Sequence, residues 1–158
     1  MTSLTRPAEG DVLPYRLGAK AVIIQDNQVL LIAYDDESGL HYNFPGGGIA
    51  GHEPIKAGLA REIFEETCAR SVIGDLILAG EYFPPAQRGR YGSTPALTLY
   101  FRAALLPGET PRMPDRPDPS QIAVTWFPLD NIPDLLLPGY YDRLVSQAAR
   151  PDIFTAEA

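Results

Sequence analysis

Two long apolar, β-branched runs lie near the front of the chain, Arg16 to Ile24 (RLGAKAVII) and Gln28 to Tyr34 (QVLLIAY). Asp26-Asn27 separates them, and both residues tolerate left-handed backbone, so the pattern predicts a β-hairpin. His41 to Phe44 reads as a short strand delivering the chain to a run of glycines. The period then changes. From Pro54 to Thr67 there is no further proline and Gly58 is the one glycine; Pro54 suits a first helical turn, so a helix of about that span is predicted. Strand patterning returns in Ser71 to Phe83, with a bend expected at Gly80, in Pro95 to Leu105 and in Ile122 to Leu129. Gly139 to Ala149 closes the pattern as a short amphipathic helix through Tyr141, Leu144 and Val145. Strands alternating around one central helix and a C-terminal helix imply an α/β sandwich. One domain over residues 1–158 is expected, with an ordered core of about 12–150 and loosely held ends.

The central helix carries the chemistry. Residues three and four apart share a helix face, so Glu62, Glu65 and Glu66 fall within one arc. Leu59, Ala60, Ile63 and Phe64 fall on the adjacent and opposite sides. The expected helix therefore buries one side and presents three carboxylates on the other. Gly58 sits one turn before Glu62, where the missing side chain leaves room for a close neighbour. Three like charges repel unless a cation holds them, and hard oxygen ligands suit Mg²⁺ or Mn²⁺. The plainer alternative is a solvated helix face in which Arg61 pairs with Glu65.

Spacing over the whole segment decides against that alternative. Gly47, five residues, Glu53, seven residues, then Arg61-Glu62-Ile63-Phe64-Glu65-Glu66 resembles the Nudix box of the Nudix hydrolases, GX5EX7REUXEEXGU with U aliphatic. Phe44-Pro45-Gly46 runs straight into it. Cys68 stands where the box has its last glycine and Ala69 where a larger aliphatic is usual, so the helix exit departs from the pattern. The resemblance implies a Nudix-type α/β/α sandwich with a mixed β-sheet, and hydrolysis of a nucleoside diphosphate linked to another moiety. It also implies site roles. Glu65 and Glu66 would be the principal metal ligands, and Glu62 a third ligand or the base that deprotonates water. Glu53 would be a ligand or stand just behind the ligands, Arg61 would orient a glutamate, and the Gly46 carbonyl would join the Mg²⁺ (or Mn²⁺) shell. Gly47 and Gly48 would let backbone approach metal and phosphate closely. His52 and Cys68 receive no role.

Composition narrows the partner. The 158 residues carry a net charge of −7, with a pI near 4.7, so a nucleic acid polymer is a poor partner. A small nucleotide-derived substrate is not excluded, since bound metal and local arginines reverse the sign inside a cleft. One cysteine rules out an internal disulfide, and no apolar run approaches membrane-spanning length, so a cytoplasmic protein with no membrane partner is expected. A homodimer stays open.

Substrate recognition is expected in two loops. Pro84-Pro85 ends a strand, and Arg88, Arg90 and Tyr91 follow with two cations for phosphate and an aromatic to stack on a base. Pro84 and Pro85 lie 15 and 16 residues beyond Ala69, a spacing associated within the family with ADP-ribose pyrophosphatases. The proline-dense stretch from Pro107 to Gln121 supplies Glu109, Asp115 and Asp118 as further carboxylates within reach of the metal. Trp126 resembles the tryptophan that commonly precedes the final helix in Nudix domains, although Thr125 replaces the carboxylate often found before it. The expected substrate is ADP-ribose or another ADP-sugar. The alternatives are a nucleoside triphosphate or dinucleoside polyphosphate, or a nucleotide-binding regulatory domain without catalysis, which the intact Arg61, Glu62, Glu65 and Glu66 argue against.

Overall fold

The computed structural model describes residues 15–83, 94–133 and 141–149. Its strands are β1 (Arg16–Gln25), β2 (Gln28–Asp36), β3 (Gly39–Asn43), β4 (Gly46–Gly48), β5 (Ser71–Tyr82), β6 (Ala96–Leu105) and β7 (Gln121–Pro128). The helices are α1 (Ile55–Thr67), between β4 and β5, and α2 (Tyr141–Ala148). The hairpin turns at Asp26 (φ 51°) and Asn27 (φ 59°), both left-handed, the geometry that matches the twist of the flanking strands.

The sheet runs β3-β2-β1-β6-β5, with β4 also on β1 and β7 also on β2. β1 and β6 are parallel, from Arg16 opposite Ala96 to Ile23 opposite Ala103, and the other pairs are antiparallel. Residues Val29 to Ala33 are all buried, as a strand covered on both faces requires. Successive side chains serve opposite layers. Val22, Val29 and Leu31 pack with Phe44, Tyr100 and Leu144 beneath α2, whereas Ala21, Ile23 and Leu30 pack with Leu59, Ile63 and Phe101 beneath α1. This is an α/β/α sandwich with a mixed sheet.

Several local expectations are corrected. Pro54 is the residue before the helix, with extended backbone (φ −62°, ψ 144°), and its carbonyl accepts the Gly58 N–H at 2.9 Å. Gly80 keeps regular register opposite Thr98; the irregularities of β5 fall between Ile73 and Leu76 and between Leu76 and Leu78. The buried side of α1 is also rotated from the expected one. Phe64 is 51% exposed while Glu66 is 6% exposed, so Leu59, Ile63 and Glu66, at spacings of four and three, form the inward row. The third carboxylate of the helix belongs to the interior.

Cys68 ends α1 in the left-handed conformation (φ 56°, ψ 14°), its N–H bonded to the Phe64 carbonyl at 2.8 Å. The stretch from Pro107 to Gln121 then ties down this exit. Arg112 N–H donates to the Thr67 carbonyl at 2.8 Å, and Glu109 accepts the Arg70 N–H at 3.1 Å and the Arg70 Nε–H at 2.7 Å.

Candidate active site

β4 consists of three glycines paired with β1, Gly18 opposite Gly48 and Lys20 opposite Gly46. Side chains are excluded from it for two different reasons. A Cβ on Gly46 would lie 2.2 Å from the Ala19 carbonyl oxygen, and φ there is +133°. A Cβ on Gly47 would lie 2.5 Å from Glu62 Oε2. The first glycine lets β4 seat on β1, and the second lets the Glu62 carboxylate lie against the backbone. Gly58 does the same for Glu53, whose Oε1 stands 2.7 Å from the position a Cβ would take.

Arg61 organises three of the four box glutamates. Its Nε and Nη2 donate to the two oxygens of Glu53 at 3.1 and 2.8 Å, and its Nη1 reaches Glu62 at 2.9 Å and Glu65 at 3.1 Å. This bidentate grip, with the Ala50 N–H donating to Glu53 at 3.0 Å, holds the Glu53 carboxyl down at about 2. Glu65 is the outermost of the set, its side chain 56% exposed against 19% for Glu62.

Glu66 has other partners. Its Oε2 accepts the Gly46 N–H at 2.9 Å and its Oε1 accepts the Tyr34 O–H at 2.9 Å, while Gln121 donates to its backbone carbonyl at 2.9 Å. Burial pushes the carboxyl above its ordinary value and the repulsion of Glu62 adds to that; Lys20, the Gly46 N–H and the Tyr34 hydroxyl oppose it. Tyr34 is pushed far upward, by burial first and by Glu66 next, so it remains a donor. The Lys20 ammonium donates to the Gly46 carbonyl oxygen at 2.8 Å; burial lowers its proton affinity, and the charges of Glu66 and Glu62 raise it.

Of the residues expected from the sequence, Gly46, Gly47, Glu53, Arg61, Glu62, Glu65 and Glu66 come together. Gly48 adjoins them, with the Arg16 guanidinium 3.8 Å from its would-be Cβ. Glu109 pairs with Arg70 at 2.6 Å, and the exposed Asp115 lies 3.8 Å from Arg112. Asp118 is exposed, but its charge is felt at Tyr34 on the rim of the site. Pro84, Pro85, Arg88, Arg90 and Tyr91 lie outside the described residues. Sequence reasoning missed Lys20, Tyr34 and Gln121. The available signal for Lys20 was a charge between two alanines, in the middle of a strand whose other polar residues, Arg16 and Gln25, lie at its ends.

Gly46 O, Glu62 and Glu66 are all-oxygen donors, the set that suits a hard divalent cation. Among the described residues no three acidic, histidine or cysteine side chains already converge as a metal cage; the cations now among the carboxylates are Arg61 and Lys20. Among the same residues no helix is long and apolar enough to cross a membrane.

A family model described as "NUDIX domain" matches residues 14–146. No curated protein sequence matches the chain. Among solved structures, a MutT Nudix hydrolase from Burkholderia pseudomallei is 27% identical with a TM-score of 0.69, over 85% of this chain and 98% of that one. A Nudix hydrolase from Nitrosomonas europaea is 21% identical (TM-score 0.68, 85% and 88% covered). An ADP-ribose pyrophosphatase from Streptococcus suis is 19% identical (TM-score 0.61, 85% and 90% covered). At those identities the last two likenesses show the shared fold.

Proposed function

Because the chain belongs to the Nudix family, whose members are hydrolases that generally use a divalent metal, we propose that it is a Mg²⁺- or Mn²⁺-dependent pyrophosphohydrolase acting on a nucleoside diphosphate linked to another moiety. ADP-ribose or another ADP-sugar is the favoured substrate class. The observation that carries the reading is the buried Glu66 carboxylate, bonded to the Gly46 N–H and within reach of the Glu62 charge. Burying a carboxylate is costly unless it is partnered, and the partners of Glu66 come from the strands that carry Gly46, Tyr34 and Lys20.

Hydrolysis adds water across a phosphoanhydride: the water oxygen bonds one phosphorus, and the bridging oxygen departs with the other phosphoryl group. Gly46, Glu62 and Glu66 would hold the metal, with Glu65 the further ligand on the open side; when bound, the ion supplies charge neutralisation on the phosphoryl oxygens and a more acidic water. The protein's part is placement. Arg61 fixes Glu53, Glu62 and Glu65 through one guanidinium. Tyr34 and the Gly46 N–H fix both oxygens of Glu66. Gly47, whose missing Cβ admits the Glu62 carboxylate, and Gly48, with the Arg16 guanidinium close by, are assigned to the phosphate. Arg88 and Arg90 are assigned to the second phosphate and Tyr91 to the base, on the chemistry of these side chains after Pro84-Pro85.

A screen of nucleoside diphosphate derivatives with Mg²⁺ or Mn²⁺, with products identified to locate the cleaved bond, tests this. ADP-sugars should be cleaved fastest. Nucleoside triphosphates turned over far faster than ADP-ribose would overturn the substrate assignment. Replacing Arg88 and Arg90 together by alanine should raise KM much more than it lowers kcat.

A further inference from the structure

Lys20 is tied to the site from two directions. Its backbone pairs with Gly46 across the β1–β4 ladder, and its ammonium donates to the carbonyl of that same residue at 2.8 Å. The other half of the glycine is also taken, since the Gly46 N–H donates to Glu66 at 2.9 Å. The neighbouring Ala19 and Ala21 are fully buried, so β1 sets Lys20 rigidly between packed residues. Arg61 makes its hydrogen bonds to Glu53, Glu62 and Glu65, and none of them goes to Glu66. Lys20 is thus the described cation whose charge acts on both Glu66 and Glu62.

We propose that Lys20 is a positioning residue that serves as the resident counter-ion of the site, bonded to the Gly46 carbonyl until a divalent cation takes that oxygen. This rests on Gly46, Glu62 and Glu66 being the cation-binding oxygens. An ammonium and a divalent ion on one carbonyl, beside the same two carboxylates, repel strongly at low effective dielectric. Metal entry therefore releases Lys20 from Gly46. In the metal-free protein the same ammonium keeps Glu62 and Glu66 from driving each other apart, so the oxygens are pre-spaced at the cost of weaker metal affinity.

The chain's lysines are Lys20 and Lys56, which makes lysine-selective isotope labelling of the whole protein directly readable. Lys56 lies 5.9 Å above the Phe101 ring and serves as the internal reference. On addition of Mg²⁺, without substrate, the Lys20 side-chain signals should move and its ammonium protons should exchange faster, while those of Lys56 stay in place. Calorimetry with Mn²⁺ on the substrate-free protein gives the second readout. Lys20→Gln should bind at least about tenfold tighter than wild type, and Lys20→Arg should stay close to wild type. Lys20 signals that do not respond at saturating Mg²⁺, or a folded Lys20→Gln protein that binds Mn²⁺ no tighter, overturn the proposal while leaving the metal site intact. Failure of wild-type protein to bind Mn²⁺ at all would remove the site itself. If Lys20→Gln does not fold, the labelled wild-type protein decides alone.

Discussion

Adding one methyl group at each of two adjacent glycines separates the fold from the site. At Gly46 the new carbon meets the Ala19 carbonyl oxygen at 2.2 Å and Leu59 Cδ1 at 3.0 Å, with φ at +133°. The obstructing atom is main chain of β1, which the parallel ladder to β6 pins in place. Forcing a side chain into that backbone conformation costs about 1–3 kcal/mol, and overpacking adds about 1–3 kcal/mol. Gly46→Ala should therefore lose about 2–6 kcal/mol, much of a domain's usual margin of about 5–15 kcal/mol. At Gly47 the obstruction is Glu62 Oε2 at 2.5 Å, the free end of a side chain. That carboxylate can swing aside, and the lower chain entropy of unfolded alanine, about 0.4–1 kcal/mol, offsets part of the lost contact with Arg61. Gly47→Ala should stay within about 1 kcal/mol of wild type, yet moving Glu62 by an ångström should cost about 10²-fold in turnover. Urea denaturation followed by Trp126 fluorescence reads the first quantity, and product release in Mg²⁺ reads the second. Gly47→Ala with wild-type kcat, or Gly46→Ala unfolding at the wild-type midpoint, would refute the reasoning.

Hydrolysis should vanish in excess EDTA and return with Mg²⁺ or Mn²⁺; full activity in the chelator would contradict the donor set. Glu66→Ala leaves the Gly46 N–H and the Tyr34 O–H without their acceptor and should destabilise by about 2–5 kcal/mol. Glu66→Gln preserves the shape and should fold while losing about 10²–10⁴-fold in kcat; equal stability of the two variants in urea would argue against the buried network. Cys68→Gly relieves the left-handed helix exit (φ 56°) but loosens the unfolded chain, so a gain under about 1 kcal/mol is expected in thermal melts. The folded Glu53 carboxyl sits at about 2 against an ordinary 4.5, so its stabilisation is present above about 4.5 and is lost as pH falls toward about 2. Glu53→Gln should flatten the acid limb of Tm against pH in that window, and an unchanged limb would contradict the assignment.

Strand patterning and glycine positions were legible in the sequence because each has a local cause. Asp26-Asn27 fixes the hairpin through backbone preference, and the unbroken apolar run of β2 follows from burial on both faces. The face of α1 was harder to read. A wheel that sorts residues by polarity places Glu66 with Glu62 and Glu65, whereas the packing places it with Leu59 and Ile63 because Gly46, Tyr34 and Lys20 satisfy it from other strands. Those partners lie 20, 32 and 46 positions away in sequence, and no local pattern announces them. Glu109 shows the same dependence on distant partners: Arg70, beside the left-handed helix exit, pairs with it at 2.6 Å.

Charge in the site explains why its glutamates separate into two groups. Glu53, Glu62 and Glu65 share Arg61, whose planar fork supplies enough N–H donors for all three. That leaves Glu66 inside with the charge of Lys20. With all four ionised, the carboxylates outnumber the cations that the described residues bond within the site, Arg61 and Lys20, with Arg16 nearby at Gly48. Further arginine pairing would neutralise them, but it would also occupy the oxygens. On the proposed reading, an exchangeable divalent cation would neutralise the same charge and leave the oxygens free to bind it. The glycine strand serves the same arrangement from the backbone side: the missing Cβ of Gly46 seats β4 on β1, and that of Gly47 admits the Glu62 carboxylate.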